Sequence, residues 1–308
     1  MRSGRKGGVK LTVKKKWYQN IRFYRMLTQG FVFLFIAKLV VEGIVASESE
    51  ITISPEAYCP FGGLESLYTF FTNGTTLSHL HTSNIIILGL ILIITLFFRS
   101  GFCGWLCPFG TFQDLVRKLG AFIGSLSLIK PLNKKLKEFI KKRENVFYQL
   151  DKYLRYFKYL VLLWAVLGAV YYVDLVFRDY DPFVALITVA ELESYVGLAI
   201  LGLVIVLSLF IERPWCRYAC PLGATIGIIG KLSPMRVKRD ENLCINCNLC
   251  SKSCPMNIDV AKTNHVKSLD CNQCMVCIDH CPVEGALTTG LILPNQKPRT
   301  EIVEKGGI

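Results

Sequence analysis

The chain has no Gly-rich dinucleotide fingerprint, no P-loop, no His-Glu-x-x-His zinc motif and no Ser-His-Asp set. Nicotinamide, nucleotide, zinc-protease and serine-hydrolase chemistry therefore lose their sequence support, and any catalysis left to it is redox chemistry. Charge is scarce as well: 19% of residues are charged and 52% hydrophobic, with a mean hydropathy of +0.38. That balance is too apolar for an ordinary soluble protein. Acids are the scarcer sign, 23 against 36 bases, for a net charge of +13. Such an excess can signal nucleic acid, but its distribution argues otherwise. No Lys or Arg lies between Ser47 and Ser83, whereas residues 1–25, 99–158 and the stretch after Ile211 are rich in both.

Bases that alternate in this way around apolar runs follow the positive-inside pattern. The expectation is a mainly α chain with an integral membrane four-helix part over 27–235, spans at about 27–46, 82–102, 159–177 and 195–211, and a cytoplasmic connector over 103–158. A basic cytoplasmic arm (1–26) precedes it. A two-cluster ferredoxin-like α+β module (236–290) and a tail (291–308) follow. This reading places the protein in the inner membrane as a multi-pass protein with both termini cytoplasmic, against membrane lipid and without nucleic acid. The 133–145 stretch reads as an amphipathic helix on the membrane surface. Residues 179–192 read as a short re-entrant or interfacial segment.

Cysteine is plentiful, and eight of the 13 fall between Cys244 and Pro282. CINCNLCSKSCP and CNQCMVCIDHCP both follow C-x2-C-x2-C-x3-C-P, the spacing that wraps a [4Fe–4S] cubane while its last Cys serves the other cluster. Cys244, Cys247, Cys250 and Cys281 are thus assigned to cluster 1. Cys271, Cys274, Cys277 and Cys254 are assigned to cluster 2. Zinc prefers two separated C-x2-C pairs, and a disulfide framework needs an oxidising compartment.

A duplication lies upstream. AYCPFGGLESLY and FCGWLCPFG in the first half match DYDPFVALITVA and WCRYACPLG in the second. Cys103 pairs with Cys216, Cys107 with Cys220 and Tyr58 with Tyr180. Two readings compete for the four C-x3-C-P cysteines. They jointly hold a third iron–sulfur cluster, or they are redox-active or packing thiols. Their i, i+4 spacing puts both thiols of a pair on one helical face, with Pro108 ending or kinking the turn. Cys59 has Asp181 as its counterpart, so an inter-repeat disulfide is excluded there. Lys38 and Glu42 are spaced to pair on one helix face. His79 and His81 lack a nearby third ligand.

The segment from about Glu241 to Leu287, with its CPVEGAL ending, resembles a bacterial-type two-cluster ferredoxin. Together, CGWLCPFG, CRYACPLG and the two ferredoxin motifs make residues 25–290 similar to the NapH-type polyferredoxins, known as membrane components of quinol dehydrogenases. NosR-like and, more loosely, RdxA/CcoG-like iron–sulfur proteins share the pattern. The resemblance implies an electron-transfer subunit working between a quinone pool or an outer redox partner (a cytochrome or flavoprotein) and a cytoplasmic ferredoxin-like carrier, with a quinone as a further cofactor. YCPFGGLE departs from the core pattern and leaves the subfamily open. A second class of function is metallocentre assembly or redox sensing through the C-x3-C-P cysteines.

Overall fold

The computed structural model describes residues 21–46, 63, 82–125, 144–172, 177–187 and 195–291. Cys59, His79, His81 and the 133–143 part of the expected surface helix lie outside them, as does the side chain of Glu42.

The helical part contains α1 (Ile21–Ala46), α2 (Thr82–Phe98), α3 (Gly101–Trp105), α4 (Pro108–Ile123) and α5 (Glu144–Tyr172). A 3-10 turn (Arg178–Tyr180) leads into α6 (Pro182–Ile187), α7 (Tyr195–Phe210), α8 (Pro214–Tyr218) and α9 (Pro221–Ile229). The segment expected to be re-entrant is thus a tight turn and a six-residue helix packed on α7.

Each half follows one plan: a long apolar helix, a break at an arginine, a five-residue helix and a helix that opens on proline. Arg99 (φ 55°) and Arg213 (φ 51°) make the two breaks. Both sit in the left-handed region, which costs a non-glycine residue about 1–2 kcal/mol. The closing helices then cross over: α4 packs on α7 of the other half, and α9 packs on α2 as well as α5.

The breaks correct the expected membrane architecture. Among the described residues, no helix is long and apolar enough to cross a membrane. α2 has 17 residues and α7 has 16, about 26 and 24 Å at helical rise, against a hydrocarbon core of about 30 Å. The span expected to reach residue 102 stops at Phe98, because the chain turns at Arg99. α5 has 29 residues, but Glu144, Asp151, Lys152, Arg155 and Lys158 confine its uncharged run to 159–172. In α1, Arg25 and Lys38 confine the longest uncharged run to 26–37. A four-span membrane domain and a multi-pass location are therefore not what the structure supports. It is mostly helical with one small sheet. Phe31, Leu34, Ile86, Phe97 and Leu203 are well exposed on α1, α2 and α7, and apolar faces of this kind mark contact surfaces.

The C-terminal module is built on an antiparallel pair, β1 (Met235–Arg239) with β2 (Leu287–Leu291), in the register Val237↔Thr289. Between them lie α10 (Leu249–Lys252), a 3-10 turn (Val260–Lys262) and α11 (Val276–Asp279). Its core is small: Val237, Val260, Val266 and Leu287 with Cys250 and Cys277. Domains of this size are marginal on apolar burial alone. Cysteines within the core imply that bound metal supplies much of the folding free energy.

Candidate iron–sulfur sites

The two ferredoxin loops are conformational copies. Asn246 and Gln273, each just before the middle Cys, have φ 53° and 50°. Asn248 and Met275, just after it, have φ 63° and 57° and start α10 and α11. Four left-handed residues, two per loop, curl the backbone so that three thiols face one point.

Two cavities result. One is lined by Cys244, Cys247, Cys250 and Cys281. The other is lined by Cys254, Cys271, Cys274 and Cys277. Each cavity thus draws its fourth thiol from the opposite motif. The donor set, four thiols around one pocket, fits a [4Fe–4S] group. Among the described residues no three His, Cys, Asp or Glu converge on a single metal ion. A cubane is compatible with that spacing, since each thiolate takes a different iron.

The two cavities differ in exposure. Cys247 is exposed, while Cys274 and Cys277 are buried. Burial pushes the Cys254 thiol up to about 11 and raises Cys277 further, with neighbouring thiols adding to the effect. Metal loading must therefore displace protons from these sulfurs.

The C-x3-C-P cysteines also converge, though not along one helix as expected from their spacing. Cys103 and Cys216 lie inside α3 and α8, whereas Cys107 and Cys220 are extended N-caps of α4 and α9. Pro108 and Pro221 take the first helical position, where a missing N–H costs nothing. In the second half the glycine two residues later then serves the thiol: Gly223 N donates to Cys220 Sγ at 3.3 Å. Cys107 makes no such cap bond; a Cβ on Gly110 would instead press on the Arg213 guanidinium, 3.1 Å from Nη1.

Burial, and then each other's charge, raise Cys103, Cys216 and Cys220, with Cys216 reaching about 12. Gln113 Nε2 donates to Cys216 Sγ at 3.3 Å, and Gln113 Oε1 accepts from Trp215 N at 3.1 Å, tying the two halves together. Asp181, counterpart of Cys59, is buried, accepts from Phe183 N at 2.9 Å and is pushed up to about 6 by burial.

Residues the motifs did not reveal complete the surroundings. Arg213, fully buried, grips Asp114 at 2.8 and 2.6 Å and donates to Cys103 O. Arg25 also holds Asp114, at 2.7 Å, and donates to Gly104 O at 3.0 Å. Burial would raise Asp114, but Arg213 and then Arg25 outweigh it and hold the carboxyl below its ordinary value. Lys158 is buried on Asp270, which Arg155 also contacts. One signal in the sequence could have found Arg213, and Arg99 with it: an Arg three or four residues ahead of the first Cys in both halves.

The four-thiol group lies against cluster 2. A Cβ placed on Gly104 would come within 2.2 Å of Asn272 O and 3.5 Å of Cys274 N. Trp105 Nε1 donates to Gln273 O at 3.0 Å. The backbone between Cys103 and Trp105 thus rides directly on the cluster 2 loop.

Comparison with known proteins agrees with this layout. A 4Fe-4S binding domain family matches residues 80–127 and 194–240, one match per half, and a 4Fe-4S dicluster domain family matches 236–282. The chain is 34% identical over 250 residues to the putative electron transport protein YccM of Escherichia coli K12, covering 79% of this chain and 64% of that protein. It is 31% identical to the uncharacterized protein MJ0749 of Methanocaldococcus jannaschii, over 67% of this chain and 72% of that one. The ferredoxin-type protein NapH of Haemophilus influenzae is 31% identical over 61% of this chain and 63% of its own length. No solved structure matches.

Proposed function

The chain belongs to the [4Fe–4S] electron-transport proteins of the NapH-type and NosR-like family, and on that footing we propose that it relays single electrons between the four-thiol group and a soluble redox partner, by way of clusters 2 and 1. The observation behind this reading is the contact of Gly104 with the Asn272–Cys274 loop, which sets the backbone next to Cys103 directly against the cluster 2 loop. Clusters supply one-electron chemistry when bound. The chain's own residues hold and aim them. Cys254 and Cys281 cross between the loops, Gln113 and Gly223 direct N–H groups at Cys216 and Cys220, and Arg213 places a buried positive charge beside Cys103.

Cysteines 103, 107, 216 and 220 are proposed to hold a third iron–sulfur centre. Four partly buried cysteines whose thiols act on one another, two of them with N–H donors on sulfur, are the support for it. Cys247, exposed beside Ile245 and Leu249, marks the side where a ferredoxin-like or other iron–sulfur partner docks. A quinol, or an outer cytochrome or flavoprotein, is the proposed exchange partner at the four-thiol side.

Iron and acid-labile sulfide per chain test this on anaerobically purified protein, beside a variant with all four C-x3-C-P cysteines changed to Ser. About 12 iron falling to about 8 supports the third centre. About 8 in both removes it. If the four thiols instead bind copper stoichiometrically, the metallocentre-assembly reading replaces the relay. Anaerobic oxidation of a quinol analogue by the loaded protein tests the donor class directly.

A further inference from the structure

The two clusters have loops of one conformation but different charges around them. Three buried guanidinium groups stand on the cluster 2 side. Arg99, 1% exposed, donates to the carbonyls of Val266, Lys267 and Ser268 at 2.6, 3.0 and 2.5 Å, just ahead of Cys271. Arg25 donates to Gly104 O, whose residue lies on Asn272 and Cys274. Arg213 donates to Cys103 O, one residue earlier. The acids on this side are fewer and already engaged. Asp114 is shared by Arg25 and Arg213, and Asp270 by Arg155 and Lys158. Arg99 hydrogen-bonds only carbonyls in these contacts, so its charge adds to the surplus.

Cluster 1 has fewer such cations among the described residues: Arg239, largely buried, lines its cavity and pairs with the exposed Glu241 at 3.4 Å. Cys247 is exposed, so water screens what charge there is.

Resting on the two-cluster reading, we propose that Arg99, Arg25 and Arg213 make the Cys254/Cys271/Cys274/Cys277 centre the higher-potential cluster of the pair, so that the first electron rests beside the four-thiol group rather than at the exposed end. Reduction adds one electron to a [4Fe–4S] group, with no bond made or broken and no proton taken up. The donor is a reduced iron–sulfur partner or a quinol, and dithionite in the assay. A buried cation stabilises that added negative charge more than a solvated one. Burial alone acts in the opposite sense, because it disfavours the more highly charged reduced state. The ordering therefore depends on the three arginines.

The experiment is an EPR-monitored redox titration of the full loaded chain with dithionite and mediators, with iron and sulfide counted on each sample. Cys250→Ser and Cys277→Ser assign the waves to clusters 1 and 2. The expected result is cluster 2 titrating above cluster 1. Arg25→Gln and Arg99→Gln each lower the cluster 2 wave and leave the cluster 1 wave in place. Arg239→Gln moves only the cluster 1 wave. Arg99→Lys, which keeps the charge but loses the three-carbonyl grip, returns the cluster 2 wave toward wild type. Should Arg99→Gln fail to fold, Arg25→Gln, on a separate helix, carries the test. Cluster 1 titrating higher, or a cluster 2 wave indifferent to both arginines, overturns the proposal while two clusters are still present. Fewer than two clusters in the wild type defeats the two-cluster reading itself, and the proposal with it.

Discussion

Gly104→Ala tests the contact on which the relay rests. The new Cβ would lie 2.2 Å from Asn272 O, about 1 Å inside an ordinary carbon–oxygen contact. The acceptor is backbone, and it has little room to withdraw. Gln273 is held at φ 50° and its carbonyl takes the Trp105 indole N–H at 3.0 Å. Overpacking of this kind costs about 1–3 kcal/mol. Ala would otherwise gain about 0.5–1 kcal/mol over Gly in a helix. Gly89→Ala provides that control, because nothing lies within 4 Å of its Cβ. That gain is common to both variants, so the two should differ by about 1–3 kcal/mol in denaturant unfolding, Gly104→Ala being the weaker. Amide exchange should quicken over residues 271–277 in Gly104→Ala alone. Equal stability of the two variants, with unchanged exchange at the cluster 2 loop, would refute the contact.

Other outcomes follow from the same geometry. Asp181, raised to about 6 by burial from an ordinary 3.8, binds its proton more tightly folded than unfolded. Its neutral form thus favours the native state at low pH, and that contribution is lost as pH rises from about 4 through about 6. Two units correspond to on the order of 3 kcal/mol. Asp181→Asn should flatten this part of the profile and exceed the wild type at pH 7.5, as measured by denaturation at both pH values. Removing iron with a chelator should unfold the 236–291 module while most helical circular dichroism persists, because the module's apolar core is small and partly made of cysteine. Retention of the β1–β2 amide protection after iron removal would contradict that. Lys158→Met leaves Asp270 with Arg155 alone and should destabilise by about 2–3 kcal/mol, read as a lower unfolding midpoint. An unchanged midpoint would mean that Arg155 is sufficient.

Composition, spacing and duplication were legible residue by residue. The C-x2-C-x2-C-x3-C-P pattern grouped the eight cysteines into two sets of four with Cys254 and Cys281 exchanged, since a three-thiol loop leaves one iron corner open, and each set lines one pocket. The matched C-x3-C-P motifs likewise announced a repeated unit, since in both halves an extended cysteine is followed by a proline at the first helical position.

Tertiary structure alone decided three things. Helix length was one. Hydropathy counts apolar residues along a run but does not register where the backbone turns, and Arg99 and Arg213 turn it through left-handed conformations paid for by contacts distant in sequence. The swapped packing of α4 on α7 and α9 on α2 was another, because it depends on complementary surfaces and leaves no periodic trace. The last was the charge around the clusters. Arg25, Asp114 and Arg213 come from separate segments and meet only on folding, and only folding brings Arg99 onto the carbonyls just ahead of Cys271.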